Sequence, residues 1–164
     1  VKKTFLTIAL LAAAPAMAQQ AATPERQAAV AERGARVMPF DLAATRHIFT
    51  KTADGGVQRV VARNPADTRQ VELVRAHLRD IADKFAHGDM SAPAHIHGNA
   101  MPGLAQLQAA APGRISVSYK EVDGGADIGY TSADPALVKA LHDWFDAQVA
   151  DHGKDAMAGH HHHH

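Results

Sequence analysis

Two stretches of the chain carry the same succession of hydrophobic and polar positions. The first is TRHIFTKTADGGVQRVVARNPADTRQVELVRAHLRDIADKF (45–85) and the second is GRISVSYKEVDGGADIGYTSADPALVKALHDWFDAQV (113–149). Each has a β-like run, an Asp-Gly-Gly turn at 54–56 or 123–125, a second β-like run, and an Ala-Asp able to cap a helix. Asp-Gly between such runs marks a hairpin, because these residues tolerate the positive φ that a tight turn needs. In the third run Ile115, Val117 and Tyr119 alternate with Ser116, Ser118 and Lys120, so one side of the sheet is covered and the other wet.

Helical periodicity takes over after each hairpin. Asp67 and Gln70 have the capping-box spacing, and Val71, Val74, Leu78, Ile81 and Phe85 then fall on one stripe, with Arg69, Glu72, Arg79, Asp80 and Asp83 opposite. The second helix starts at Asp134-Pro135, buries Leu137, Leu141, Trp144, Phe145 and Gln148 or Val149, and stops near Gly153. The order ββαββα predicts an α+β two-layer sandwich, a four-stranded, mainly antiparallel sheet with two helices on one face. Between the halves, residues 87–112 form a long connection in which PGLAQLQAA predicts a short helix from Pro102. A connection of this length in a small domain points to function.

The ends change the picture. Residues 1–18, VKKTFLTIALLAAAPAMA, have two lysines, an apolar run and the small-x-small Ala16-Met17-Ala18, which predicts an export signal cleaved after Ala18. No other segment offers the ~20 apolar residues of a membrane span. The expectation is therefore a soluble periplasmic or secreted protein. Residues 19–36, rich in Ala, Gln and charge with hardly any large apolar side chain, predict a flexible leader; 37–152 form one domain; 153–164 predict a disordered His-rich tail.

The full chain has 17 basic and 17 acidic residues, and loss of Lys2 and Lys3 leaves 15 basic, a balance that does not suggest nucleic acid. There is no cysteine. A thiol enzyme is excluded, and any metal site must use His, Met or carboxylate. The chain also lacks a Gly-x-Ser-x-Gly elbow, a Walker loop, a dinucleotide fingerprint and His-Glu-x-x-His, so nothing in it argues for an enzyme.

The chemistry it does offer is imidazole. Of twelve histidines, five end the chain, a run that reads as a natural tail rather than a purification tag and that binds Ni, Cu or Zn loosely whatever the domain does. His95 and His97 lie two apart in PAHIHGNAMPG (93–103), and in an extended segment both rings point to the same side, with Met101 able to add a soft thioether. His47 shares the inward side of its strand with Phe49, and His77 lies about 80° from the centre of its helix stripe. A site of His47, His77 and His97, with His95 or Met101 as fourth ligand, is a reasonable copper or zinc shell, nickel being a further choice and a thioether favouring copper. His87 and His152 are explained by helix ends, where a cationic side chain meets the helix dipole. His142 lies at a helix border. The bland readings are a solvated loop at 93–103 and a hydrogen-bonded His47 at the core edge.

The runs VMPFDLAATRHIFTKTADGGVQRVVA, IHGNAMPGL and LHDWFDAQVADHG resemble a group of small secreted proteobacterial proteins often labelled aspartate carbamoyltransferase, over about residues 37–153. Enzymes of that name are cytoplasmic, two-domain and about twice this length, with a Ser-Thr-Arg-Thr phosphate loop and a His-Pro-x-Gln segment. AATRH at 43–47 and DTRQ at 67–70 reproduce neither. The resemblance thus implies one exported domain and carries over no catalytic residue. The leading expectation is a periplasmic transition-metal protein, copper before zinc or nickel, for storage, delivery or tolerance. The alternatives are an envelope interaction module that contacts a partner protein through 87–112, and a small enzyme or ligand-binding domain using His47 or His77 as a base.

Overall fold

The computed structural model describes residues 22–160. The expected signal, 1–18, lies outside them, as do His161 to His164. Both hairpins form. Strands β1 (Thr45–Thr52) and β2 (Gly55–Ala62) pair antiparallel, as do β3 (Ser116–Val122) and β4 (Gly125–Thr131), and β2 joins β4 antiparallel in the middle. Register sets one row of side chains facing inward: His47 opposite Val60, Gln58 opposite Ile128, and Tyr130 opposite Val117.

Two long helices cover that face. Helix α2 (Thr68–Ala86) buries Val71, Val74, Leu78, Ile81 and Phe85, the stripe expected from periodicity. Asp67 caps it by accepting from the Gln70 backbone N–H at 3.2 Å. The Gln70 side chain does not reach back to complete a capping box; it accepts from Asp41 N–H at 2.9 Å. Helix α5 (Pro135–His152) is capped by Asp134 and buries Leu137, Leu141, Trp144, Phe145 and Gln148, with Trp144 fully enclosed. The mixed α+β class is as expected, but the sheet has five strands and the described residues form five α-helices, where four strands and two helices were expected.

The additions lie where apolar periodicity is weak. Residues expected to be a flexible leader form helix α1 (Pro24–Val37), which starts with Thr23 accepting from Arg26 N–H and Pro24 in the first turn. It buries little beyond Val30 and docks by polar contacts, so a test for large apolar residues passes over it. The connection 87–112 folds as α3 (Ser91–His97) and α4 (Leu104–Gln108), the latter two residues later than expected. The start of the expected disordered tail forms a 3-10 turn (Gly153–Asp155) and β5 (Ala156–Ala158), which pairs parallel with His47–Phe49 and gives the order β3-β4-β2-β1-β5. A three-residue edge strand needs backbone partners and no apolar face of its own. No helix among the described residues is long and apolar enough to cross a membrane.

Candidate functional site

Four imidazoles line one pocket between the sheet and the helices, at the end of the sandwich where β5 joins β1. They come from β1 (His47), α2 (His77), α3 (His97) and α5 (His152). The His47 and His152 rings have centroids 4.9 Å apart, and those of His97 and His152 are 5.0 Å apart. Phe40 closes the other side, 6.0 Å from the His47 ring and 5.6 Å from that of His77.

His97 and His152 arrive by the same local device. Each ends its helix and is followed by a glycine with positive φ, Gly98 at 88° and Gly153 at 54°, a conformation other residues adopt only with strain. The helix therefore stops on the histidine, and the chain turns away immediately after it.

Helix α1 clasps these two helix ends. The Arg26 Nε donates to Asp151 Oδ1 at 2.5 Å and its Nη2 to Asp151 Oδ2 at 2.7 Å, a two-pronged guanidinium–carboxylate contact. Arg26 also donates to the His97 carbonyl at 3.3 Å and Arg33 to the Ile96 carbonyl at 2.6 Å, meeting orphan acceptors at the end of α3. On α5, the Gln27 amide donates to the Ala150 carbonyl at 3.0 Å. Asp151 completes the arrangement: its Oδ2 lies 2.8 Å from His97 Nδ1. An acceptor there holds a proton on Nδ1 and leaves Nε2 as the nitrogen turned to any other partner.

His47 has no such partner. It is 3% exposed, yet neither Nδ1 nor Nε2 has a hydrogen-bond partner. An orphaned buried polar group costs about 1–3 kcal/mol, so the fold carries this ring at a loss. Burial pushes its pKa down to about 4, opposed by the Asp155 carboxylate and assisted by His77 and His97. His152 is likewise pushed well below its ordinary value by burial and by His47 and His97, against the pull of Asp151. Burial also lowers His77, with Asp80 opposing and Lys84 assisting. Burial raises Asp151, but hydrogen bonds from His97 and Arg26 outweigh it and hold the carboxyl at about 2. At neutral pH the pocket thus presents the neutral imidazoles of His47, His77 and His152, with the ionised Asp151 carboxylate against His97 at its border.

Of the five residues picked out in the sequence, three meet here. His47, His77 and His97 share the pocket; His95 and Met101 do not line it. His95 is exposed on α3, because PAHIH is helical rather than extended and residues two apart on a helix diverge by about 200°. Met101 is 3% exposed within the apolar core. His152 is the participant that the helix-dipole reading passed over. Its signal was present: His-Gly occurs at 87–88, 97–98 and 152–153, each time at a helix end. His87 keeps the end-of-helix role, its Nδ1 2.7 Å from the Asp83 carbonyl, and His142 Nε2 lies 2.8 Å from the Gly55 carbonyl and 3.0 Å from that of Thr52, at the first hairpin.

Chemically, the site can offer nitrogen lone pairs to an electrophile or ion, or use the His97–Asp151 pair to take up a proton. Among the described residues, no group of three His, Cys, Asp or Glu side chains is arranged to hold a metal ion. The three closest imidazoles are neighbours, without their nitrogens converging on one point. No protein-family model, curated protein or solved structure matches the chain.

Proposed function

We propose that this protein binds one transition-metal ion through His47, His97 and His152, with His77 beside them, and serves metal storage, delivery or tolerance in the periplasm or outside the cell. The observation that carries the reading is His47: a buried imidazole with two unpartnered nitrogens, next to His152, which in turn meets His97. A ligand role gives one of those nitrogens a partner. The carboxylate on His97 Nδ1 supports it, since metal-bound histidines commonly donate their other N–H to a carboxylate that fixes ring and tautomer. The reading requires ring rotations that bring three nitrogens to a common point. Three imidazole nitrogens suit copper(II) or zinc, with copper the tighter on general affinity grounds. The thioether argument for copper lapses with Met101.

The test is metal uptake by the chain from Gln19 onward, with His160 to His164 changed to serine. One tightly held copper or zinc per chain, lost in His47→Ala and in His97→Ala, is the expected result. Uptake unchanged in both variants would overturn the ligand set. A second reading rests on the buried His97–Asp151 contact at 2.8 Å, which has the form of a general-base pair. It predicts turnover or ligand binding that survives chelation and is lost in His97→Ala.

A further inference from the structure

Both residues with buried, unpartnered side-chain nitrogens among those described, His47 and Trp144, line the histidine pocket. A larger space, about 190 Å³, shares only Phe85 with it and lies between the end of α2, α4 and β3. Its walls include Phe85, Met90, Leu107, Ile115, Val117 and Tyr130, and among the described residues no Lys, Arg, Asp or Glu lines it. Tyr130 contributes its ring alone, because its hydroxyl already donates to Gln58 Oε1 at 3.0 Å. The polar side chains of the lining, His87 and Gln108, are exposed and so stand at the mouth.

The walls are held independently of one another. At the end of α2, His87 Nδ1 donates to the Asp83 carbonyl at 2.7 Å and Asp89 N–H to the Lys84 carbonyl at 2.9 Å. Helix α4 is seated in the core by Leu104 and Leu107, both almost fully buried. Residues 109–113, which cross from α4 toward β3, are anchored where they end: Arg114 N–H donates to the Ala111 carbonyl at 3.1 Å, its guanidinium to Asp134 at 2.8 Å, and its carbonyl accepts from Ser132 Oγ at 2.7 Å. Walls fixed in this way do not close on the space between them, and the apolar atoms that border it forgo dispersion contacts that an occupant would supply.

We propose that this pocket binds a neutral single-ring aromatic molecule, with its ring against the apolar walls and a small polar substituent at the mouth. Volume sets the size: a cavity of about 150 Å³ walled by Leu, Ile and Phe takes up benzene, so a space of about 190 Å³ suits one ring with a small substituent. The uncharged lining sets the charge, since an ionised ligand would shed its water with no countercharge to receive it. The Phe85 and Tyr130 rings, with centroids 6.2 Å apart, and the Met90 thioether favour an aromatic occupant, because ring edges and sulfur both interact well with another ring. The two pockets have no polar residue in common, so this binding is separate from metal uptake by the histidines.

The probe is benzyl alcohol, titrated at pH 7 with EDTA present into isotope-labelled chain and followed by its methyl resonances in NMR. The expected result is saturable binding of one molecule per chain, with the largest shifts at Leu107, Ile115 and Val117 and little change at Val60, which lines the histidine pocket. Benzoate, ionised at this pH, is expected to bind at least about tenfold more weakly, because its charge must leave water unpaired. Val117→Phe, at a half-buried position in the lining, puts a ring of the protein's own into the space and should abolish saturable binding. Should that variant not fold, the shift map and the benzoate comparison on the unaltered chain decide. Shifts that rise without saturating, that centre on Val60, or that persist in folded Val117→Phe would each overturn the proposal, as would equal affinity for benzoate.

Discussion

Two of the pockets in this molecule share Phe85 in their linings. One, of about 190 Å³, lies by α4 and β3 and is lined mostly by apolar residues such as Met90, Leu107, Ile115 and Val117. The other is about 50 Å³ and gathers four histidines. The larger has more room and little chemistry. Both unpartnered buried groups belong to the smaller, and so do the residues whose protonation burial opposes. Size locates space in a protein; orphaned polar atoms locate the place where stability was given up, and a functional site is where such a loss is expected.

The comparison is broken most directly by making the small pocket resemble the large one. His47→Leu replaces an orphaned ring by an apolar side chain, and removing a buried unsatisfied group should stabilise the metal-free protein at pH 7 by about 1–2 kcal/mol. The same variant should blunt acid sensitivity. His47 has a folded pKa of about 4 against an ordinary 6.5, so the unfolded chain binds the extra proton first. Its contribution is fully present above pH 6.5 and is lost as pH falls toward 4, a loss on the order of 3 kcal/mol from this residue alone. His77 and His152, also lowered, act in the same direction. Urea melts of metal-free wild type and His47→Leu at pH 7 and pH 4.5 measure both effects. A variant that is less stable at pH 7 and equally acid-sensitive would show that His47 is an ordinary core residue.

What the sequence disclosed follows the same division. The hairpins, the two long helices and the inward side of β1 were legible because they depend on period, on Asp-Gly turns and on caps, all local signals. Those signals place His47 and His77 at one end of the sandwich, whereas His97 reaches it from α3, in a segment expected to be extended. Helix α1 was not legible, since Arg26, Gln27 and Arg33 act on carbonyls and a carboxylate more than sixty residues away. His152 was hidden for a related reason. Its place at a helix end is local information, but its neighbours in the pocket, His47 on β1 and His97 on α3, are distant in sequence, and no local period announces them.

Asp151→Asn gives the next smaller effect and tests the clasp. The substitution keeps the shape, removes the charge facing Arg26 and leaves His97 Nδ1 with a neutral acceptor. Metal affinity should fall about 10–100-fold, the usual cost of losing an outer partner of a ligating histidine. Arg26 is half exposed, so the stability cost from that ion pair should be about 1 kcal/mol or less. Chelator competition reads the first quantity and chemical denaturation the second. A large loss of stability with unchanged affinity would make the Arg26–Asp151–His97 chain a structural brace that does not position a ligand.

The smallest expected effect sharpens the comparison at its finest point, between two histidines one residue apart. His95→Ala removes an exposed ring from α3 and should change stability by less than about 0.5 kcal/mol, with metal affinity unmoved. His97→Ala removes a ring that is 4% exposed and bonded to Asp151, and should abolish tight binding. Chelator competition on both variants, with the terminal histidines changed to serine, decides between two conformations of the same five residues. Equal losses would require PAHIH to be extended in the loaded protein, because only there do side chains two apart face one ion. Unequal losses are what a helix ending on His97 demands, since Gly98 turns the chain only after the ring has been delivered to the pocket.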